Sequence, residues 1–284
     1  MSGVAPHDKN VDHAVIRVAA NVSIMVDAAV RLLSLLNQLA ASTRRVVLEF
    51  ENMDGAMGYL NRIRFFELLS SDVVVKPRRP SVSMGALRKG QSAGLVELER
   101  INYGARAKRL PTKLAERLGE ACSERTDEKE LTDAAFTVFS EIIDNVYSHV
   151  YEERQNELDG FVALQVYKNG NTAKVVVSDS GKGILHTLRP TLTDAKLQRL
   201  SDTELVVEIF RQGLSRHGNN RGCGLKASAD SAIKYKTQLD VRLPNCVVHL
   251  IPARGTYEAN TAYCRENMPL LWGTHLCFDF RLGN

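Results

Sequence analysis

Four short polar segments interrupt the apolar pattern of the chain between residues 140 and 278. In chain order they read SEIIDNVYSH from Ser140, SDSGKGI from Ser178, RGCGL from Arg221 and GTHLCF from Gly273. The first segment lies in a predicted helix, the second and fourth adjoin predicted strands, and the third leads into a predicted helix. Helices and strands that alternate around such segments indicate an α/β fold.

The composition is that of a globular protein, because 44% of the 284 residues are hydrophobic and 25% are charged. This length allows one large domain or two ordinary ones. The sequence has no run of 18 apolar residues and no apolar stretch near its N-terminus, so we expect neither a membrane span nor a signal peptide. The five cysteines form no C-x-x-C pair, which indicates reduced thiols in a cytoplasmic protein.

Residues 1–80 are predicted to form a small α/β domain. Apolar positions recur at helical spacing over residues 14–40 and 57–70, and residues 46–50 and 73–75 resemble short buried strands. Residues 77–110 are rich in Pro, Gly, Ser and Arg, and we expect residues 81–110 to form a loosely structured basic connector.

The chain between Lys76 and Lys113 is strongly basic, with ten Lys or Arg residues against two acids, Glu97 and Glu99. A solvated connecting region is the simpler interpretation, and a surface for nucleic acid or for an acidic protein is the alternative. Only Tyr103 is interleaved with these charges, so stacking on single-stranded nucleic acid is not supported.

Residues 111–284 are predicted to form a second domain. Its expected helices cover residues 111–151, with a break near 123–127, then 202–212 and 224–235. Its expected strands cover residues 161–167, 173–178, 238–243, 245–251 and 274–280, and the first two of these are joined as a hairpin.

The first polar segment carries Glu141 and Asn145 one helical turn apart, so both side chains face the same way. A carboxylate in this position can hold and polarise a water molecule. The amide oxygen can complete the shell of a magnesium ion, which takes its other ligands from water and phosphates. Taken alone, the pair fits the polar side of an ordinary helix better than it fits such a site.

The second polar segment places Asp179 directly after a predicted strand. Its carboxylate can accept a hydrogen bond from an exocyclic amine such as that of adenine. Gly181 and Gly183 let the backbone pass close to a flat ring because they have no Cβ. A plain glycine turn is the alternative.

The third segment places Gly222 and Gly224 before a predicted helix, where exposed N–H groups and the helix dipole favour an anion. It is not a P-loop, because the sequence contains no G-x-x-x-x-G-K-[ST]. It does not follow a strand either, as a Rossmann fingerprint must.

The combination of E-x-x-D-N-x-x-x-H, D-x-G-x-G-I, R-G-x-G-L and a final G-T-strand resembles the GHKL ATPase superfamily over about residues 112–284. This superfamily includes DNA gyrase, heat-shock chaperones, histidine kinases and the mismatch-repair protein MutL. The resemblance implies the Bergerat fold, a two-layer α/β sandwich whose mostly antiparallel mixed sheet has helices on one face. It also implies that ATP and Mg²⁺ bind.

The resemblance implies a role for each motif residue. Asn145 would bind the Mg²⁺ that bridges the phosphates, and Glu141 would be the general base for water. Asp179 would accept the adenine amine, with help from Thr274 through water. The remaining ATP-binding positions divide into those that line the adenine pocket, Gly181, Gly183 and Ile184, and those that close on the phosphates, Arg221, Gly222, Gly224 and Leu225.

Residues 185–221 would form the mobile ATP lid of such a protein, with a hinge at 218–220. His149, one turn beyond Asn145, has either a packing or capping role or a role near the phosphates. The run SEIIDNVYSH is similar to the anti-sigma-factor serine kinases. A histidine kinase would need a phospho-accepting His on a preceding helix, and residues 111–139 contain none.

The N-terminal domain is weakly similar to STAS domains, the fold of anti-sigma-factor antagonists, in its order of helix, VVLEF, turn and helix. Residues 51–58 contain no Ser or Thr, so a serine switch is not expected there. The alternative is an N-terminal extension that packs on the second domain or forms a dimer.

The expected function is magnesium-dependent ATP binding with slow hydrolysis. The nucleotide would switch the contacts that the lid or the N-terminal domain makes with a protein partner or with a second copy of the chain. Two alternatives are an anti-sigma-type protein serine kinase and a non-catalytic module whose interactions are gated by ATP. A membrane partner is not expected.

Overall fold

The computed structural model describes residues 11–42, 44–53, 55–92, 94–101, 109–152, 160–214 and 223–283. In chain order its elements are β1 His13–Val18, α1 Val26–Ala41, β2 Arg45–Phe50, α2 Ala56–Arg62, α3 Phe65–Leu68, β3 Val73–Lys76, α4 Met84–Leu87, β4 Leu95–Ile101, α5 Leu110–Ala121, α6 Glu128–Glu152, β5 Gly160–Tyr167, β6 Thr172–Ser178, α7 Ile184–Leu188, α8 Ala195–Gln198, α9 Asp202–Gln212, α10 Cys223–Lys234, β7 Gln238–Arg242, β8 Val247–Ala253, β9 Thr256–Ala259 and β10 His275–Arg281. No helix in these ranges is long and apolar enough to cross a membrane.

A seven-stranded sheet forms the centre of the molecule, with strand order β4-β5-β6-β10-β7-β8-β9. Every neighbouring pair in it is antiparallel. A separate three-stranded sheet, β1-β2-β3, is parallel. The expected α/β class is therefore confirmed.

The central strands of the large sheet are buried on both faces. On β6, Val175 and Val177 lie in the core formed with α5, α6, α9 and α10, whereas Val176 lies in the core formed with the N-terminal residues. Alternation of this kind follows from the two-residue period of a strand. Helix α1 contributes Leu33 and Leu36 to the second core, so the N-terminal unit packs directly on the back of the sheet.

Most predicted elements of residues 111–284 are confirmed. The helix break is found between α5 and α6, and α9 has the predicted bounds because Ser201 and Glu204 form a capping box and Gly213 ends the helix in a left-handed conformation. Strand β9 was not expected, because four residues after the Arg254–Gly255 turn are too few for a clear periodicity.

Three expectations for residues 1–110 are wrong. Residues 13–18 form strand β1 instead of the start of a helix, since their exposed and buried positions alternate. The helix expected over residues 57–70 is divided at Arg64, whose φ is 70°. Leu95–Ile101 is no loose connector but strand β4, because it pairs along one edge with β5 and both of its faces are covered.

Strand β4 also carries the two acids of the basic stretch. Glu97 is fully buried and pairs with Arg62 at 3.0 Å. Glu99 pairs with Lys113, and that cation holds the pKa of the Glu99 carboxyl below its usual range against the opposing effect of burial. Part of the basic charge is therefore used inside the fold.

Candidate functional site

Glu141 and Asn145 lie on one face of α6, as their spacing predicts. Both side chains are partly exposed, while Ile142 and Ile143 between them are buried in the core. The Asn145 Nδ2 donates to Glu141 Oε1 at 3.3 Å. Because this amide nitrogen donates to the carboxylate, the amide oxygen is turned away from it.

The N-terminal turn of α10 meets Glu141. A Cβ built on Gly224 would overlap the Glu141 carboxyl group, far inside van der Waals contact. Only a glycine allows the helix to approach the carboxylate so closely. The first and third polar segments are thus brought together, at a helix terminus where backbone N–H groups favour anions.

Asp179 forms the corner between β6 and the loop that follows, and only 7% of its surface is exposed. Its Oδ1 accepts from Gly181 N at 2.8 Å, and its Oδ2 accepts from Thr274 N at 3.0 Å. The Asp179 N–H in turn donates to the Thr274 carbonyl oxygen at 3.0 Å. These bonds fix the direction of the carboxylate and join the second polar segment to the fourth.

Thr274 also holds the start of α7, because its Oγ1 accepts from Ile184 N at 2.9 Å. Two glycines with left-handed backbones flank this contact, Gly183 with a φ of 87° and Gly273 with a φ of 104°. They border a narrow, shallow cleft that is partly open to solvent. Its lining residues are Asp179, Gly181, Lys182, Gly183, Ile184, Thr187 and Thr274.

The two clusters lie at the same end of the sheet. Gly160, at the start of β5, lies between α6 and β6: a Cβ there would lie 2.5 Å from Val146 Cγ1 and 2.7 Å from the Ser178 carbonyl oxygen. Val146 follows Asn145 on the helix, and Ser178 precedes Asp179 on the strand. The turn of α6 that carries Asn145 therefore lies beside the end of β6, which leads into Asp179.

The structure thus groups most of the residues that the sequence predicted. Glu141, Asn145 and Gly224 form one cluster, and Asp179, Gly181, Gly183, Ile184 and Thr274 form the other. Leu225 is partly buried and packs against the helix-side core. Arg221, Gly222 and the 218–220 hinge lie outside the described residues, as does the side chain of His149.

The expected lid over residues 185–221 is only partly supported. Helix α9, Asp202–Gln212, buries Leu205, Val206, Ile209 and Phe210 in the helix-side core. A helix anchored by four core side chains does not fit a segment that opens and closes. Among the described residues of 185–221, Thr187 of α7 is the one that lines the cleft.

Two cleft residues were not predicted, Lys182 and Thr187. Lys182 belongs to the SDSGKGI segment, so the sequence placed it near the predicted site. Nothing in the pattern indicated a role for its exposed side chain. Thr187 follows a helical turn after the segment, and only the observed course of α7 brings it to the cleft.

No protein-family model matches this sequence, and no curated protein shows significant similarity to it. The arrangement of the site residues is therefore the basis for assigning a function.

Proposed function

We propose that this protein binds Mg²⁺-ATP in the cleft at Asp179 and hydrolyses it slowly, as a cytoplasmic GHKL-type ATPase whose nucleotide state changes its contacts with a protein partner or a second copy. The observation that carries the proposal is that described residues of the four polar segments form two clusters at one end of the sheet, with Glu141 against Gly224 and Asp179 against Thr274. The free thiols of Cys122, Cys246, Cys264 and Cys277 are in keeping with a reducing compartment.

The adenine end of the proposed site is the Asp179 corner. A carboxylate held on two backbone N–H groups is well oriented to accept from an adenine amino group, since it offers about four acceptor positions in all. The glycine backbones at 181 and 183 give a flat ring close access to the cleft. Burial of Asp179 strengthens such a hydrogen bond, because little water competes for it.

The phosphate end is the cluster of Glu141, Asn145 and Gly224. The residues fit a magnesium ion that is bound mainly by phosphates and water, because the Asn145 amide supplies a single hard oxygen ligand. In the described residues no group of three or more His, Cys, Asp or Glu is placed to hold a metal. When bound, the ion would neutralise phosphate charge. Glu141 would accept the proton of the attacking water.

Exchange of Asp179 for Asn tests the adenine end. In the variant, an NH₂ group replaces one carboxylate oxygen. This donor then faces another donor, either a backbone N–H group or the adenine amine, and one hydrogen bond is lost. We expect the Kd for ATP, measured by calorimetry with Mg²⁺, to rise by about ten- to a hundredfold.

The matched control is Asp194→Asn. Asp194 caps α8 by accepting from Lys196 N at 2.7 Å, the same two-residue contact that Asp179 makes with Gly181. The Kd for ATP of the Asp194→Asn variant should stay within about twofold of the value for the unaltered protein. Unaltered protein that binds no Mg²⁺-ATP, or Asp179→Asn protein that binds it normally, would show the proposal to be wrong.

Exchange of Gly224 for Ala tests the phosphate end. The new methyl group would push the flexible Glu141 side chain aside, while alanine itself suits a helix. We expect ATP turnover to fall by about ten- to a hundredfold and the free energy of unfolding to change by less than about 1 kcal/mol. In the control Gly58→Ala, a helix glycine with open space around it, turnover should be unchanged. Equal turnover in both variants would contradict the role of this contact.

A further inference from the structure

Helix α1 of the N-terminal unit reaches the loop before β10, which carries Thr274. Gln38 is almost fully buried, with 2% of its surface exposed. Its Nε2 donates to the Trp272 carbonyl oxygen at 2.9 Å, and its Oε1 accepts from Trp272 N at 3.0 Å. One side chain therefore binds both polar backbone groups of a residue that is 234 positions away.

Trp272 is two residues from Thr274, and the backbone between them has little freedom. A Cβ on Gly273 would overlap the Asp179 carbonyl oxygen, so the chain lies directly on the Asp179 corner. Thr274 then makes the backbone bonds that orient the Asp179 carboxylate. A displacement of Trp272 would change the direction of that carboxylate.

A second buried path links the same elements. Ser34 on α1 contacts Ser178 Oγ at 3.2 Å, and Ser178 Oγ contacts His275 Nδ1 at 2.6 Å. The His275 Nε2 lies 3.1 Å from the Trp272 carbonyl oxygen. Burial lowers the pKa of the His275 imidazole to about 3, so the ring is neutral at physiological pH. Its Nε2–H then donates to Trp272, and its Nδ1 accepts from the Ser178 hydroxyl.

We propose that Gln38 is a positioning residue for the adenine end of the site, through which the N-terminal unit sets the affinity for nucleotide. This inference rests on the proposed function for its ligand. By thermodynamic linkage, anything that moves α1 would weaken ATP binding, and bound ATP would resist that movement.

The chain offers a matched pair of variants for the test. Asn37, the preceding residue, makes the same two-bond contact with backbone inside the N-terminal unit: its Nδ2 donates to Leu68 O at 3.1 Å, and its Oδ1 accepts from Ser70 N at 2.8 Å. Gln38→Met and Asn37→Leu each remove two such bonds and keep the side-chain volume. Only the first variant leaves the Trp272 N–H without its acceptor and the Trp272 carbonyl oxygen with His275 as its remaining donor.

We expect the Kd for ATP to rise about tenfold in Gln38→Met and to stay within about twofold in Asn37→Leu. The preference for ATP over inosine triphosphate, which lacks the amino group, should also fall in Gln38→Met alone. The catalytic rate at saturating ATP should hardly change, because Glu141 is untouched. A general loss of folding would lower this rate in both variants and would not alter base selectivity.

Amide hydrogen exchange separates failure of this inference from failure of the proposed function. The Thr274 amide, which donates to Asp179, should exchange faster in Gln38→Met than in Asn37→Leu, with no nucleotide present. If the unaltered protein binds no ATP but this difference is found, the proposed function is wrong and the positioning contact stands. Equal exchange in the two variants would overturn the inference, as would equal ATP affinity in protein that binds ATP.

Discussion

A Glu141→Gln variant should bind Mg²⁺-ATP within about twofold of the unaltered protein and release phosphate at least about a hundredfold more slowly. The amide keeps the size of the side chain and can accept from Asn145, but it cannot take a proton from water. Phosphate release at saturating ATP and calorimetry on the same sample would measure the two effects separately.

The matched control is Glu130→Gln, because Glu130 is exposed in the first turn of the same helix and lies away from the cluster. It should hydrolyse ATP normally. Equal rates in Glu141→Gln and in the unaltered protein would remove the base role. Labelled phosphate on a serine of a partner protein, lost in the same variant, would favour the kinase alternative. Tight ATP binding without phosphate release by the unaltered protein would favour the nucleotide-gated module.

Replacing Gly273 by Ala should cause the largest loss of stability of the substitutions considered. The residue has a φ of 104°, and its Cβ would overlap a backbone oxygen that has no side-chain freedom to move away. We expect the free energy of unfolding in urea to fall by about 2–5 kcal/mol. ATP binding should be lost with the geometry of the Asp179 corner.

Gly255→Ala is the control for the backbone conformation alone. Gly255 has a φ of 77°, but no atom lies within 4 Å of the position that an alanine methyl group would take, so only the left-handed strain of about 1–2 kcal/mol applies. Its ATP affinity should be unaltered. If the two alanine variants unfold at the same urea concentration, the close approach at Gly273 does not determine the corner.

The local parts of the site could be predicted from the sequence. The four-residue spacing of Glu141 and Asn145 requires only that the segment be helical, and Asp179 needs only a strand before it. Glycines in the sequence also marked the positions where the backbone could be left-handed or could have a close neighbour. The cluster at Gly224 could be expected only through the family resemblance, because no local rule joins two helices.

Long-range features were beyond prediction for a physical reason. Gln38 has the pattern of any polar residue on an amphipathic helix, and only the docking of α1 on the sheet gives it Trp272 as a partner. Strand β4 was obscured in a similar way. Its neighbours are rich in Gly, Ser and Arg, and the pairing with β5 overrides that composition.

Strands β5, β6 and β10 are buried on both faces, so the two halves of the protein share the central sheet, with one hydrophobic core on each side of it. Val176 on β6 and Cys277 on β10 lie in the core that is formed with the N-terminal half, although both strands belong to the C-terminal half. A fragment that kept the cleft but lacked α1 would present this apolar surface to water, a hazard for association. Anyone who transfers the cleft to another protein must therefore carry the N-terminal helix with it or supply a new cover of equal shape.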